Sequence, residues 1–238
     1  MNTAILMGLF IGIAGFTFLG KGLFLYTLGI YMDLPNVIVH ECGHALTARL
    51  WGGNIKSVKF NIIPSIVMSE GLLGQAIIGN RHKLGSIFST LGGYVSQSLF
   101  FLLITCLVLN GQTLLIIPLF LAIYLMTNLL AADKSFWQNL IIFAVIASGI
   151  YLYQNNLDIL LTIYHSFDTI TAVFIIWYMA GLAHQIFIVL RLKTNTHWDG
   201  SSLAKDTYIP TVIWKILFLA VMVGAYFSYY WISNIALL

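Results

Sequence analysis

His40-Glu41-Cys42-Gly43-His44 is the stretch of this sequence whose residue types and spacing promise chemistry, and it lies inside an apolar run from Pro35 to Trp51. If that run is a helix, residues four apart stack on one face, so both imidazoles can point at one metal ion with Glu41 beside them. Two neutral imidazoles suit Zn²⁺ at tetrahedral positions. A third protein ligand must then come from elsewhere in the chain, and a water whose pKa falls to about 7 takes the fourth position. Glu41 is placed to accept that water's proton. Uncompensated His and Glu residues in an apolar helix are costly, which argues against a merely structural polar cluster. One zinc ion is the expected cofactor.

The chain that must position these residues has 238 of them, 60% hydrophobic and 8% charged, with a mean hydropathy of +0.93. Soluble domains are roughly half apolar and a quarter charged, so the composition predicts an all-α polytopic membrane protein in contact with the lipid bilayer. A net charge of +3, dispersed along the chain, gives no reason to expect a nucleic-acid partner. The N-terminal apolar stretch lacks a basic leader and a small-residue cleavage site, so it reads as a retained span. Cys42 and Cys106 both fall in predicted spans, where no disulfide is expected. No internal repeat or long soluble linker divides the sequence, and 1–238 reads as one integral membrane domain.

Apolar runs of about 20 residues are long enough to cross a bilayer. They fall near 4–31, 35–51, 86–109, 113–131, 136–153, 169–192 and 208–234, which makes about seven transmembrane helices. Gly20-Lys21-Gly22 interrupts the first, and Pro35 suits the first turn of the second. With the N-terminus cytoplasmic, Arg49, Lys56, Lys59, Arg81, Lys83, Lys134, Arg191, Lys193 and Lys205 all fall at or beyond cytoplasmic span ends. The opposite loops, near 32–34, 110–112 and 154–168, contain no Lys or Arg. The expected location is a multi-pass protein of a bacterial plasma (inner) membrane, with the active site near the cytoplasmic face.

The one long polar connection, Gly52 to Gly85, joins the second and third spans. In it Val58, Phe60 and Ile62 alternate with Lys59 and Asn61, a strand pattern, and Ile66-Val67-Met68 after Pro64 is the expected partner strand. A small β-hairpin at the membrane surface follows.

The third ligand should lie at the depth of His40 and His44. Asp199, Asp133, His184, His197 and Asp206 are the candidates, and the residues alone do not choose among them. Asp199 is followed by Gly200, which lets a carboxylate approach a metal without a Cβ clash. Lys134 and Ser135 beside Asp133 suggest a solvated turn. His184 is intramembrane and reads either as a ligand, as a proton relay or as a hydrogen-bonded structural residue.

Three stretches resemble the site-2 protease family of intramembrane zinc metalloproteases, and its small bacterial branch in particular. They are His40 to Ala45 followed by Gly52-Gly53, then Gly92-Gly93-Tyr94, and Asp199-Gly200 with Leu203-Ala204, Thr207, Ile209-Pro210 and Trp214. The resemblance implies His40, His44 and Asp199 as zinc ligands and Glu41 as acid/base. It also implies a membrane-protein or peptide substrate cut in or next to its transmembrane segment. Where many relatives carry an asparagine and prolines before the aspartate, this chain has Asn195-Thr196-His197-Trp198. Asn195 and Asn128 are the candidates for the substrate-positioning role, and no PDZ segment is recognised.

The leading expectation is therefore an intramembrane zinc metallopeptidase. Two other classes compete with it. An ion or proton transporter or channel would use His40, Glu41, His44 and His184 as a path. A non-catalytic scaffold would keep zinc as a structural element, although structural zinc is normally closed by four protein ligands.

Overall fold

A computed structural model describes residues 23–61, 73–133, 157–193 and 196–235. The predicted span 136–153, most of 4–31, the segment Ile66-Val67-Met68, Lys134 and Asn195 lie outside the described residues. Helix α1 (Leu23–Leu50) leads into strand β1 (Asn54–Phe60) and strand β2 (Gly74–Gly79). Helix α2 (Lys83–Leu109) follows, then a 3₁₀ turn (Thr113–Leu115) running into α3 (Ile116–Leu130). Beyond these come α4 (Leu157–Arg191), the short α5 (Asp199–Thr207) and α6 (Thr211–Ile235). Among the described residues four helical stretches are long and apolar enough to cross a membrane: Lys83–Leu109, Thr113–Leu130, Thr169–Arg191 and Thr211–Tyr229. The described residues are thus mostly helical, with four candidate membrane-spanning helices and one two-stranded sheet among them. These four fall on the spans expected near 86–109, 113–131, 169–192 and 208–234.

Two expected loops are helix instead. Residues 32–34 lie inside α1, and α4 is already helical from Leu157. Pro35 therefore sits in the interior of α1 and not in its first turn. Proline cannot give an N–H to the carbonyl four residues back, which is that of Tyr31. The indole N–H of Trp177 donates to that carbonyl at 2.6 Å, so the helix continues with the acceptor satisfied. Asp33, which also reads as loop, is buried against His184, whose Nδ1 lies 2.9 Å from its carboxylate. Asn36 donates to the Tyr178 carbonyl at 2.8 Å and accepts from Gln97 at 3.2 Å, and the Tyr178 hydroxyl donates to the Gln97 carbonyl. These bonds tie α1, α2 and α4 together where lipid offers no other partners.

α1 and α2 cross at small residues. A Cβ added at Gly92 would stand 2.7 Å from the Gly43 carbonyl, and one at Gly43 would stand 2.6 Å from Ser96. Glycine at both positions lets the two backbones approach. The buried apolar cluster around this crossing includes Val39, Phe101, Tyr178, Leu182, Leu203 and Phe218. At the end of α1, Gly52 takes a positive φ of 73° and Gly53 N–H returns to the Ala48 carbonyl at 2.9 Å, closing the helix and turning the chain into β1.

β1 pairs with β2 antiparallel, Val58 opposite Ala76 and Phe60 opposite Gly74, with an irregularity between Ile55 and Ser57. Among the described residues the strand that pairs with β1 between the second and third spans is 74–79; the expected partner Ile66-Val67-Met68 falls outside them. Ile55 and Val58 point inward to a small core with Ala45 and Ala131, which fixes the sheet against α1.

Candidate metal centre

His40 and His44 are one turn apart on α1, and the spacing does what the sequence implies: both Nε2 atoms face one point, 3.0 Å from each other. Asp199 opens α5 and brings Oδ2 to 3.1 Å from His40 Nε2 and 3.3 Å from His44 Nε2. The three atoms form a nearly equilateral triangle. Zinc–nitrogen bonds of 2.0–2.1 Å at tetrahedral angles put ligand atoms about 3.3 Å apart, so this triangle fits one face of such a site. Among the described residues these are the only three of His, Cys, Asp and Glu whose ligand atoms converge as a group able to hold a metal ion. Two imidazoles and one carboxylate leave a fourth position open, as in catalytic rather than structural sites.

Each ligand is held from behind. His44 Nδ1 donates to the Ser89 carbonyl of α2 at 2.7 Å, which fixes the ring and leaves the Nε2 lone pair for a metal. The His40 ring meets Tyr94 edge-on, centroids 4.6 Å apart, and Tyr94 packs in turn on Phe218 of α6. Gly93 is the floor: a Cβ there would come within 2.6 Å of both imidazoles.

Asp199 is aimed by the fold of α5. Ser201 Oγ accepts the Trp198 N–H at 3.0 Å and Leu203 is fully buried. Asp206, at the far end of the helix, accepts from Ser86 Oγ of α2 at 2.7 Å. Tyr208, in the left-handed region at φ 62°, ends the helix, and the Trp214 indole donates to Thr207 Oγ1 at 3.2 Å. Gly200 matters for a reason the sequence did not supply. The Trp198 ring folds over the position a Cβ would take, its Cζ2 at 2.5 Å. Burial alone would raise the pKa of the Asp199 carboxyl. The adjoining His44 and His40 imidazoles outweigh burial and hold the carboxyl well below the usual carboxylate range.

Glu41, next to His40 in the chain, is held by the sheet: Ala76 N–H donates to its Oε2 at 2.7 Å. The other candidates are elsewhere. His184 pairs with Asp33, Asp206 with Ser86, and His197 is exposed. Asp133 donates its backbone N–H to the Lys56 carbonyl beside β1. Asn128 donates to the Tyr124 carbonyl within its own helix. Cys42, buried between the histidines in sequence, is a free thiol outside the triangle.

Sequence reasoning missed Ser89, Gly93 as a steric floor, and Ala76. Gly92-Gly93 carried a visible signal as a small-residue pair. Ser89 and Ala76 act through backbone groups, which leave no trace in side-chain pattern.

One protein-family profile, described as Peptidase M50B-like, matches residues 6–229, nearly the whole chain. No curated protein and no solved structure matches it significantly.

Proposed function

The chain belongs to the M50B-like peptidase family, and from that premise we propose that it is an intramembrane zinc metallopeptidase that hydrolyses peptide bonds in or next to transmembrane segments. The observation that carries the reading is the convergence of His40 Nε2, His44 Nε2 and Asp199 Oδ2, with Glu41 next to His40 in the chain. His40, His44 and Asp199 would hold one zinc ion. Bound there, zinc would polarise the scissile carbonyl and lower the pKa of a water. Glu41 would serve as the acid/base, taking a proton from the attacking water and giving one to the departing amine. Ser89 and Tyr94 keep the two imidazoles in place while this happens. No covalent intermediate with the chain is needed.

Access is the harder requirement, because a peptide bond within a substrate's helix is enclosed by its own hydrogen bonds and by lipid. The substrate must unwind locally, and the β1–β2 sheet offers strand edges with which an extended segment can pair. Cleavage that survives deletion of the sheet would remove this step. At 1.5 Å per residue His44 lies about 9 Å from Leu50, and Arg49, Lys56 and Lys59 follow at that end of α1. By the positive-inside rule this end is cytoplasmic, which gives water a short route to the site.

The test is Glu41→Gln in the full chain, purified in detergent and loaded with zinc. The peptidase reading expects about one zinc per chain with cleavage of a model transmembrane substrate abolished. Cleavage at the wild-type rate would refute the role of Glu41. Flux of an ion across vesicles that is unaffected by the substitution would favour a transporter.

A further inference from the structure

The carboxylate that the reaction needs is already engaged. Ala76 N–H donates to Glu41 Oε2 at 2.7 Å, and the register of the sheet shows which edge this donor belongs to. Asn61 N–H donates to the Leu73 carbonyl at 2.8 Å. With Lys59 opposite Gln75 and Val58 opposite Ala76, residues 73, 75 and 77 turn their backbone groups toward β1, and 74, 76 and 78 turn theirs away. That outer edge of β2 lies on α1. A Cβ added at Gly74 would be 2.7 Å from Val37 Cγ1 and 3.0 Å from Glu41 Cγ. On the in-plane side, the Glu41 carboxylate takes the Ala76 N–H at the point where the carbonyl of a paired strand would accept it.

The outer edge of β1 is partly taken as well. Ala132 N–H donates to the Ile55 carbonyl at 2.9 Å and Asp133 N–H to the Lys56 carbonyl at 2.7 Å. Further along, Phe60 packs on Tyr124 of α3. The sheet is clasped between α1 and the end of α3, with a polar β2 group spent on Glu41.

We infer that β2 is a latch on the catalytic carboxylate: Ala76 N–H restrains Glu41 until an extended substrate segment pairs with the outer edge of β2, takes over that N–H and releases the carboxylate. The inference rests on the peptidase reading. The exchange conserves hydrogen bonds, since the substrate carbonyl replaces Glu41 as acceptor and Glu41 is freed to accept from water. Hydrolysis is thereby coupled to the arrival of an unwound peptide. Ala76 is a positioning residue, acting through its backbone alone.

The experiment uses the full zinc-loaded chain and two substrates: a transmembrane segment, and a fluorogenic peptide of three or so residues, too short to pair along the edge. Ala76→Pro removes the N–H from the side of β2 that β1 does not use, so the ladder survives. Gly74→Ala keeps the N–H and pushes β2 off Glu41. The latch predicts that both variants cleave the short peptide faster than wild type, by about 10- to 100-fold in kcat/KM, the worth of a hydrogen bond to a charged group. It predicts that Ala76→Pro raises KM for the transmembrane substrate. Without substrate, in metal-free protein, the Ala76 amide of Gly74→Ala should exchange with deuterium faster than in wild type while the Asn61 amide stays protected. Slower or unchanged short-peptide cleavage in both variants, or unchanged Ala76 exchange in Gly74→Ala, overturns the latch while leaving a wild-type peptidase intact. Wild-type protein that binds zinc and cleaves neither substrate overturns both readings.

Discussion

Replacing Gly93 by alanine puts a methyl group into the space occupied by the metal-facing edges of two imidazoles. Its Cβ would stand 2.6 Å from Cε1 of His40, and equally from Cε1 and Nε2 of His44. Non-bonded carbons settle at about 3.5–4.0 Å, so the rings or the α2 backbone must give by roughly an ångström. Neither is free to do so. Ser89 holds the His44 ring, and backing α2 away from α1 would open the close Gly43–Gly92 crossing that seats the two helices. A displacement of about 1 Å at a reacting centre costs on the order of 10²-fold in rate, and disturbing the groups that orient metal ligands costs about 10- to 100-fold in metal affinity. Gly93→Ala should therefore lose at least about tenfold in zinc affinity, measured by competition with a chelator, and about 10²-fold in cleavage. Overpacking should also lower the stability of the metal-free protein by about 1–3 kcal/mol. Gly224→Ala is the control, because nothing lies within 4 Å of the Cβ it adds, and it should leave zinc binding unchanged. A Gly93→Ala protein that binds zinc with wild-type affinity and cleaves within about threefold of wild type would refute the packing described around His40 and His44.

Trp177→Phe removes the indole N–H that bonds the Tyr31 carbonyl and should lower stability in thermal unfolding by about 1–3 kcal/mol. Pro35→Ala supplies an N–H to that carbonyl from within α1, so adding it to Trp177→Phe should restore most of the loss, and strict additivity of the two substitutions would contradict the account of the proline. Asp33→Leu or His184→Phe alone strands a buried partner and should cost about 3–5 kcal/mol. The double substitution should recover much of that in the same unfolding assay, whereas single variants as stable as wild type would show that the pair does not fasten α4 to α1.

Where the sequence was legible, the information was local. His40 and His44 needed only helical periodicity to converge, and the length of apolar runs marked α2, α3, the later part of α4 and α6. Long-range partners hid the rest. Met32-Asp33-Leu34-Pro35 has the charge and the proline of a loop, yet Trp177 and His184, more than 140 residues away, supply what the helix lacks and it runs straight through. The strand at 54–60 was partly visible in the alternation of Val58 and Phe60. Its partner at 74–79 was not, because Gly74 and Gly79 dilute the apolar signal and the outer edge of that strand answers to Glu41 and Val37 on another element. Asp199 was reached through resemblance, since a loop carboxylate beside a glycine has no pattern of its own. What holds it is the burial of Leu203 and the Ser86–Asp206 bond at the other end of α5.

The central claim is that a carboxylate 155 positions beyond His44 (199 − 44) completes a metal site with the paired imidazoles. Metal content and cleavage of a transmembrane substrate, measured side by side for wild type and Asp199→Ala, test it most directly. The account predicts about one zinc per wild-type chain, and loss of both metal and cleavage in the variant. A variant that keeps its zinc and its activity would contradict it.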